Sequence, residues 1–279
     1  MPGAFTAGER TEFAMFAQIK HAAIYTQNPQ SAIAFYEKIL GMKRITSAVT
    51  ENNRGHISDG LIGLAVLARR PGIPAGLDHF GFEVDDVDSA RQRIKKHYPQ
   101  AIITKGLEKV PFALFRSHDP AGAQFDISER TDPKVREGYK EAGWEQARQF
   151  NHVVIRAHEP AAVANFYQEV FELFEVKEPP LGETVCLSDG KVRLLIQPTN
   201  DNSYMSMRQG LDHIGYQVES IEQTKKDLAA LAVSAPASAP RDIAGGIFGH
   251  LTQRDMDGCK IGQYATSDPD GVVLDFSEA

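Results

Sequence analysis

The chain has 279 residues, a formal net charge of −7, and 42% hydrophobic and 24% charged residues, a globular composition long enough for two domains. Its basic residues form no stripe, which argues against nucleic acid as a partner, and no apolar run approaches the ~20 residues that cross a bilayer. The opening MPGAFTAGERTEF has no apolar signal core, and two cysteines, Cys186 and Cys259, are too few for a disulfide framework, so a reducing cytoplasm is the expected compartment.

In chain order, the first strand-like run carries His21. A helix follows: Asn28 can cap it, Pro29 suits its first turn and Gly41 can stop it. Ser58-Asp59-Gly60 between apolar runs reads as a hairpin turn. GLDHFGFEV (76–84) is a strand carrying His79, DVDSARQRIKKH (86–97) a helix, and AQFDISE (123–129) a final strand carrying Asp126. The same series then recurs. FNHVVIRA (150–157) carries His152, a helix with Phe166-Tyr167 matches the earlier one with Phe35-Tyr36, and Ser188-Asp189-Gly190 makes a second hairpin turn. GLDHIGYQV (210–218) carries His213, ESIEQTKKDLAAL (219–231) is a helix, and VVLDFSE (272–278) carries Asp275.

The two histidine pairs are offset by nearly the same number of positions, so the halves are collinear. The acid pair is offset further, and the surplus falls where SAPASAP (234–240) and AGG (244–246) read as an inserted loop. AGGIFGH (244–250) lacks the strand–helix setting of a phosphate loop and reads as a mobile loop near the site. The expected layout is an N-terminal domain over 15–130, a linker over 131–147 and a C-terminal domain over 148–279. Each domain divides into two β-α-β-β-β modules, giving an α+β fold.

Side chains alternate along strands. His213, Gly215 and Asp275 therefore face away from the apolar set Ile214, Tyr216, Leu274 and Phe276 that should meet the helices. Gly81 and Gly215 are expected to leave room for a ligand. Two imidazoles and a carboxylate on rigid strands make a facial set for a divalent ion. His152, His213 and Asp275 are the first candidates, and His21, His79 and Asp126 form a second candidate site.

The His-containing strand starts, the LDHxGF/Y segments and the DPxG endings (119–122 and 268–271) together resemble the vicinal oxygen chelate superfamily of glyoxalases, bleomycin resistance proteins and extradiol dioxygenases. The likeness spans roughly residues 17–129 and 148–279. Four modules in one chain are similar to the single-chain type I extradiol dioxygenases. The resemblance implies two half-open barrels, each drawing its ligands from the first strands of two modules and an acid on the last strand, with the ion held by the C-terminal half. In relatives the acid is usually Glu; here it is Asp in both halves. Glyoxalase-type sites add a fourth protein ligand, for which LIGLAVLAR (61–69) and VRLLIQPT (192–199) offer only Gln197. The resemblance also implies a histidine and a tyrosine close to the substrate, for which His250 and Tyr264 are the nearest matches, although their spacing departs from the dioxygenase signature. His56, Cys186 and His118 read as local features, and His97 and His158 as solvent-facing.

The leading expectation is an Fe(II)-dependent extradiol-type dioxygenase acting on a small aromatic diol with O2, with Mn(II), Zn(II), Ni(II) or Co(II) as other candidate ions. The alternatives are an isomerase, epimerase or lyase that stabilises a metal-bound enediolate, and a metal-free small-molecule binding protein. Retention of both triads speaks against the last. A homo-oligomer is compatible with all three readings.

Overall fold

A computed structural model describes residues 15–45, 55–106, 112–132, 144–177, 182–200, 207–240 and 247–279. The N-terminal half opens with β1 (Ala17–Thr26), α1 (Pro29–Leu40), β2 (Lys43–Arg44), β3 (Gly55–Ser58) and β4 (Gly63–Ala68). Its second module is β5 (Gly76–Val84), α2 (Val87–His97), β6 (Thr104–Lys105), β7 (Phe115–His118) and β8 (Gln124–Glu129). The C-terminal half repeats the series as β9 (Gln149–Ala157), α3 (Pro160–Phe171), β10 (Phe174–Glu175), β11 (Val185–Ser188) and β12 (Arg193–Pro198). It closes with β13 (Gly210–Val218), α4 (Ile221–Ser234), α5 (Ile247–Cys259), β14 (Tyr264–Ser267) and β15 (Val273–Glu278).

The helix signals in the sequence act as expected. Asn28 accepts from the Ser31 N–H at 3.2 Å, and Gly41 ends α1 in the left-handed region at φ 67°. Asp86 and Ser220 cap α2 and α4 in the same way.

Each half forms one mixed sheet. The orders are β2-β3-β4-β1-β5-β8-β7-β6 and β10-β11-β12-β9-β13-β15-β14. Within each sheet the first strands of the two modules lie side by side and antiparallel, at the centre. The strands carrying His21, His79 and Asp126 are therefore neighbours in one sheet, and those carrying His152, His213 and Asp275 in the other.

The helix-facing sides of both sheets share one hydrophobic core, in which Phe80, Phe82 and Phe125 of one half join Tyr167, Phe171 and Phe276 of the other. α1 packs on α4, and α2 on α3. Phe35, Tyr36, Phe166 and Tyr167 are buried there. The two tyrosine hydroxyls also cross between the halves: Tyr36 donates to Asp268 at 3.1 Å and Tyr167 to Asp119 at 3.0 Å. The hairpin acids do the same. Asp59 accepts the backbone N–H of Phe150 at 2.5 Å, and Asp189 that of Ile19 at 2.7 Å.

The fourth module departs from the expected pattern. Among the described residues no short edge strand follows α4. The expected inserted loop is instead a 3-10 turn at Pro236–Ser238 and the helix α5, while residues 241–246 lie outside the described residues. Ile247–His250, read from the sequence as part of a mobile loop, begin α5. Met256 and Cys259, three positions apart, form one apolar face of this helix; both are buried, and Met256 packs on Ala265 and Val273 of the last two strands. Among the described residues no helix is long and apolar enough to cross a membrane.

Candidate metal centre

One glycine organises each triad. Gly215 lies opposite His152 on one side and Asp275 on the other, and Gly81 lies between His21 and Asp126 in the same way. A Cβ at Gly215 would stand 2.0 Å from His152 Cε1, and one at Gly81 would stand 2.0 Å from His21 Cε1. The room expected for a ligand at these glycines is thus filled by the first histidine of each half, whose ring leans across the neighbouring strand.

Each histidine follows a β-bulge. The ladder between β1 and β5 skips Lys20 and Asp78, and that between β9 and β13 skips Asn151 and Asp212. A bulge breaks the alternation of side chains and re-aims the extra residue. Asp212 consequently lies beside the imidazole that follows it, with Oδ2 2.7 Å from His213 Nδ1; Asn151 Oδ1 is 2.9 Å from His152 Nδ1 and Asp78 Oδ2 2.6 Å from His79 Nδ1. A ring that gives its Nδ1 proton to such a neighbour turns the lone pair of Nε2 toward the triad.

In each triad, one atom from every member lies within 4.8 Å of the others. In the C-terminal half His152, His213 and Asp275 are fully buried. Asp275 Oδ2 accepts the backbone N–H groups of Ile261 at 2.5 Å and Gly262 at 2.8 Å. It stands 3.5 Å from His152 Nε2 and 3.7 Å from His213 Nε2. His152 Nε2, His213 Nε2 and Asp275 Oδ1 are buried without a hydrogen-bond partner. Such orphaned atoms cost roughly 1–3 kcal/mol each, and here two imidazole nitrogens face one carboxylate. Two nitrogens and an oxygen in this arrangement fit a divalent ion.

Burial opposes charge on all four imidazoles. It keeps His152 and His21 below the usual histidine range, whereas the carboxylates beside His213 and His79 overcome it and raise theirs. Burial alone would push Asp275 up, but the two adjacent imidazoles hold its carboxyl well below the usual range.

The N-terminal triad is arranged differently. His79 Nε2 lies 3.0 Å from Asp126 Oδ2, and Arg116 on β7 grips the same carboxylate through Nε–Oδ1 at 2.6 Å and Nη2–Oδ2 at 2.9 Å. This arginine went unremarked in the sequence. Aligning FRSHDP (115–120) with YATSDP (264–269) would have set it against Ala265.

Other expected residues fall elsewhere. Tyr264 pairs with Phe276 in the ladder and stacks on its ring at 6.0 Å between centroids, on the helix side of the sheet and away from Asp275. The expectation that it lies close to substrate is corrected: the concave-face position of β14 opposite Asp275 belongs to Ala265. His250 lies in α5, and its side chain is outside the described residues. Gln197 pairs with Arg156, whereas the residue opposite Val154, beside the triad, is Leu195. Leu195, Val154 and Cys186 form an apolar cluster on this face, so among the described residues no fourth acid joins the site. His118 is structural, with Nδ1 2.9 Å from the Asp119 carbonyl and Nε2 accepting from the Ile102 N–H at 3.2 Å. His56 tilts against Phe112, with ring centroids 5.7 Å apart. His158 is exposed as expected, and His97 is half-buried near Glu169. Cys259 was not foreseen near the centre, yet its sulfur lies within 4.8 Å of ligand atoms of Asp212 and His213.

The family model described as Glyoxalase/Bleomycin resistance protein/Dioxygenase superfamily matches residues 18–127 and 149–276. The chain belongs to this superfamily. Among solved structures it is similar to the 2,3-dioxygenase LapB from Pseudomonas sp. KL28, at 17% identity and TM-score 0.57 over 94% of this chain and 92% of that one. It is likewise similar to the Mn(II)-bound glyoxalase from Novosphingobium aromaticivorans, at 16% identity and TM-score 0.61 over 94% and 81%. An extradiol ring-cleaving dioxygenase from B. fuscum matches at 14% identity and TM-score 0.57 over 93% and 70%. At such identities the likeness speaks for the superfamily fold. None of the curated proteins matches the sequence.

Proposed function

We propose that this chain is a metal-dependent dioxygenase of the extradiol type, with His152, His213 and Asp275 as its metal ligands and a small aromatic diol and O2 as its substrates. The observation that carries the reading is the pair of buried imidazole nitrogens, His152 Nε2 and His213 Nε2, that have no hydrogen-bond partner and stand 3.5 and 3.7 Å from the Asp275 carboxylate. A three-residue set with no fourth protein acid supports Fe(II), because an ion held there would supply Lewis acidity and keep positions open for a chelating diol and O2.

The surrounding residues have definable tasks. Asp212 and Asn151 hold the two imidazoles in the tautomer that presents Nε2. Arg156 lies 3.2 Å from Asp212 and keeps that carboxylate charged and in place. The N–H groups of Ile261 and Gly262 fix the Asp275 carboxylate through Oδ2, the oxygen that faces both imidazoles. Val154, Leu195, Cys186 and Ile261 keep one wall of the site apolar. The triad is fully buried, with Cys259 at the end of α5 and the turn at 260–262 lying against it.

The test is anaerobic loading with Fe(II) followed by oxygen uptake across a panel of catechols. The expected result is uptake with at least one diol and none in His213→Ala. Metal-loaded protein that consumes no oxygen with any diol, but turns over a 2-hydroxy carbonyl compound under argon, would replace this reading with the enediolate isomerase.

A further inference from the structure

The two triads share residue types but differ in what stands among them. In the N-terminal half the Arg116 guanidinium occupies the mouth of the triad. Besides gripping Asp126, its Nη2 lies 3.1 Å from Nδ1 and 3.3 Å from Nε2 of His79, and its Nη1 lies 3.8 Å from Asp78. Nη2 is therefore within hydrogen-bond distance of donor atoms on two of the three residues that would hold an ion. In the strand ladder Arg116 stands opposite Asp126, while the equivalent position opposite Asp275 is Ala265. The methyl group of Ala265 carries no charge and cannot reach the centre. Correspondingly, the buried orphan atoms include three from the C-terminal triad and none from the N-terminal triad.

We infer that Arg116 is a built-in cation that closes the N-terminal triad to metal, so that the chain binds a single divalent ion, and that uncharging this one residue opens a second site at His21, His79 and Asp126. The inference rests on the proposed C-terminal metal site for the identity of the occupied half. Its physical basis does not: a cation within ~4 Å of the ion position repels a divalent ion, and it already satisfies the carboxylate whose charge would attract one. The Arg116 side chain is 35% exposed, so replacing it leaves a solvent-filled space rather than a sealed cavity.

The experiment is Co(II) stoichiometry by elemental analysis, together with the Co(II) absorption spectrum, under metal-buffered conditions. Wild type should bind one Co(II) per chain and His213→Ala none. The double variant Arg116→Gln/His213→Ala should bind one, which a further His79→Ala removes. Arg116→Lys/His213→Ala, which keeps the charge, should bind none. Arg116→Met carries the same test if the glutamine variant does not fold. An ion retained by His213→Ala and lost on adding His79→Ala would overturn the inference. So would folded uncharged double variants that bind nothing. If wild type binds none while Arg116→Gln/His213→Ala binds one, the proposed C-terminal site and the single wild-type ion fall, while the closure of the N-terminal triad by Arg116 stands.

Discussion

Two hydrogens on Gly215 decide whether His152 can lie across the neighbouring strand. A methyl group there would stand 2.0 Å from Cε1 and 2.2 Å from Nε2 of that ring, and neither the sheet backbone nor a fully buried imidazole has room to yield. Gly215→Ala should therefore displace His152, cost roughly 1–3 kcal/mol of stability and abolish ion binding in the C-terminal half. Gly81→Ala should carry a similar stability cost through His21 while leaving the C-terminal ion in place. Thermal melts and metal titrations of the two variants check both statements; equal metal affinity in Gly215→Ala and wild type would refute the first. The triad residues were legible in the sequence because they recur at strand starts and in the last strand of each half. The task of the glycine was half legible: its position beside the second histidine marked it, but what fills the space depends on which strand becomes its neighbour, and that is a tertiary fact.

Strands and helices with strong periodicity or good caps could be read directly, as α1 shows with Asn28 and Gly41 at its ends. The bulges could not. Lys20, Asp78, Asn151 and Asp212 look like ordinary strand residues, and only strand pairing shows that each is left out of the ladder. α5 was illegible for a different reason. Glycines precede and interrupt it, so local propensity favours a loop, and burial of Met256 and Cys259 supplies what propensity lacks. That burial makes α5 testable. The Cys259 thiol is pushed up to about 12, chiefly by burial, so thiolate is scarce at neutral pH and should react on the order of 10³-fold slower than a free thiol. In a Cys186→Ala background, labelling by a disulfide reagent at pH 8 should be slow in the native protein and fast in urea. Rapid native labelling would show that α5 does not stay docked over the last two strands.

Across the whole molecule, the halves are joined by buried acids. Burial pushes Asp119 and Asp268 up to about 6, above the ~3.9 of an unfolded aspartate. Between these values the folded chain holds more protons than the unfolded one. Stability from this pair is therefore full below about pH 4 and is lost as pH rises through about 6, by up to roughly 3 kcal/mol for each acid. Asp275 and Asp126, whose carboxyls are held low, act in the opposite direction and only in more acidic solution. The double variant Asp119→Asn/Asp268→Asn keeps acceptors for the Ala123 and Val272 N–H groups. It should unfold at higher urea than wild type at pH 7.5, and the gap should narrow to about half at pH 5 and close only below about pH 4. A gap independent of pH would mean that these carboxyls do not titrate in that window. The reciprocal bonds of Asp59, Asp189, Tyr36 and Tyr167 bear on which changes the chain tolerates. Each half completes hydrogen bonds of the other, two to backbone and two to side chains, so a change on one facing surface has to be matched on its counterpart. The concave faces differ instead, with Arg116 in one half at the place of Ala265 in the other, so a change in one centre need not be answered in its counterpart.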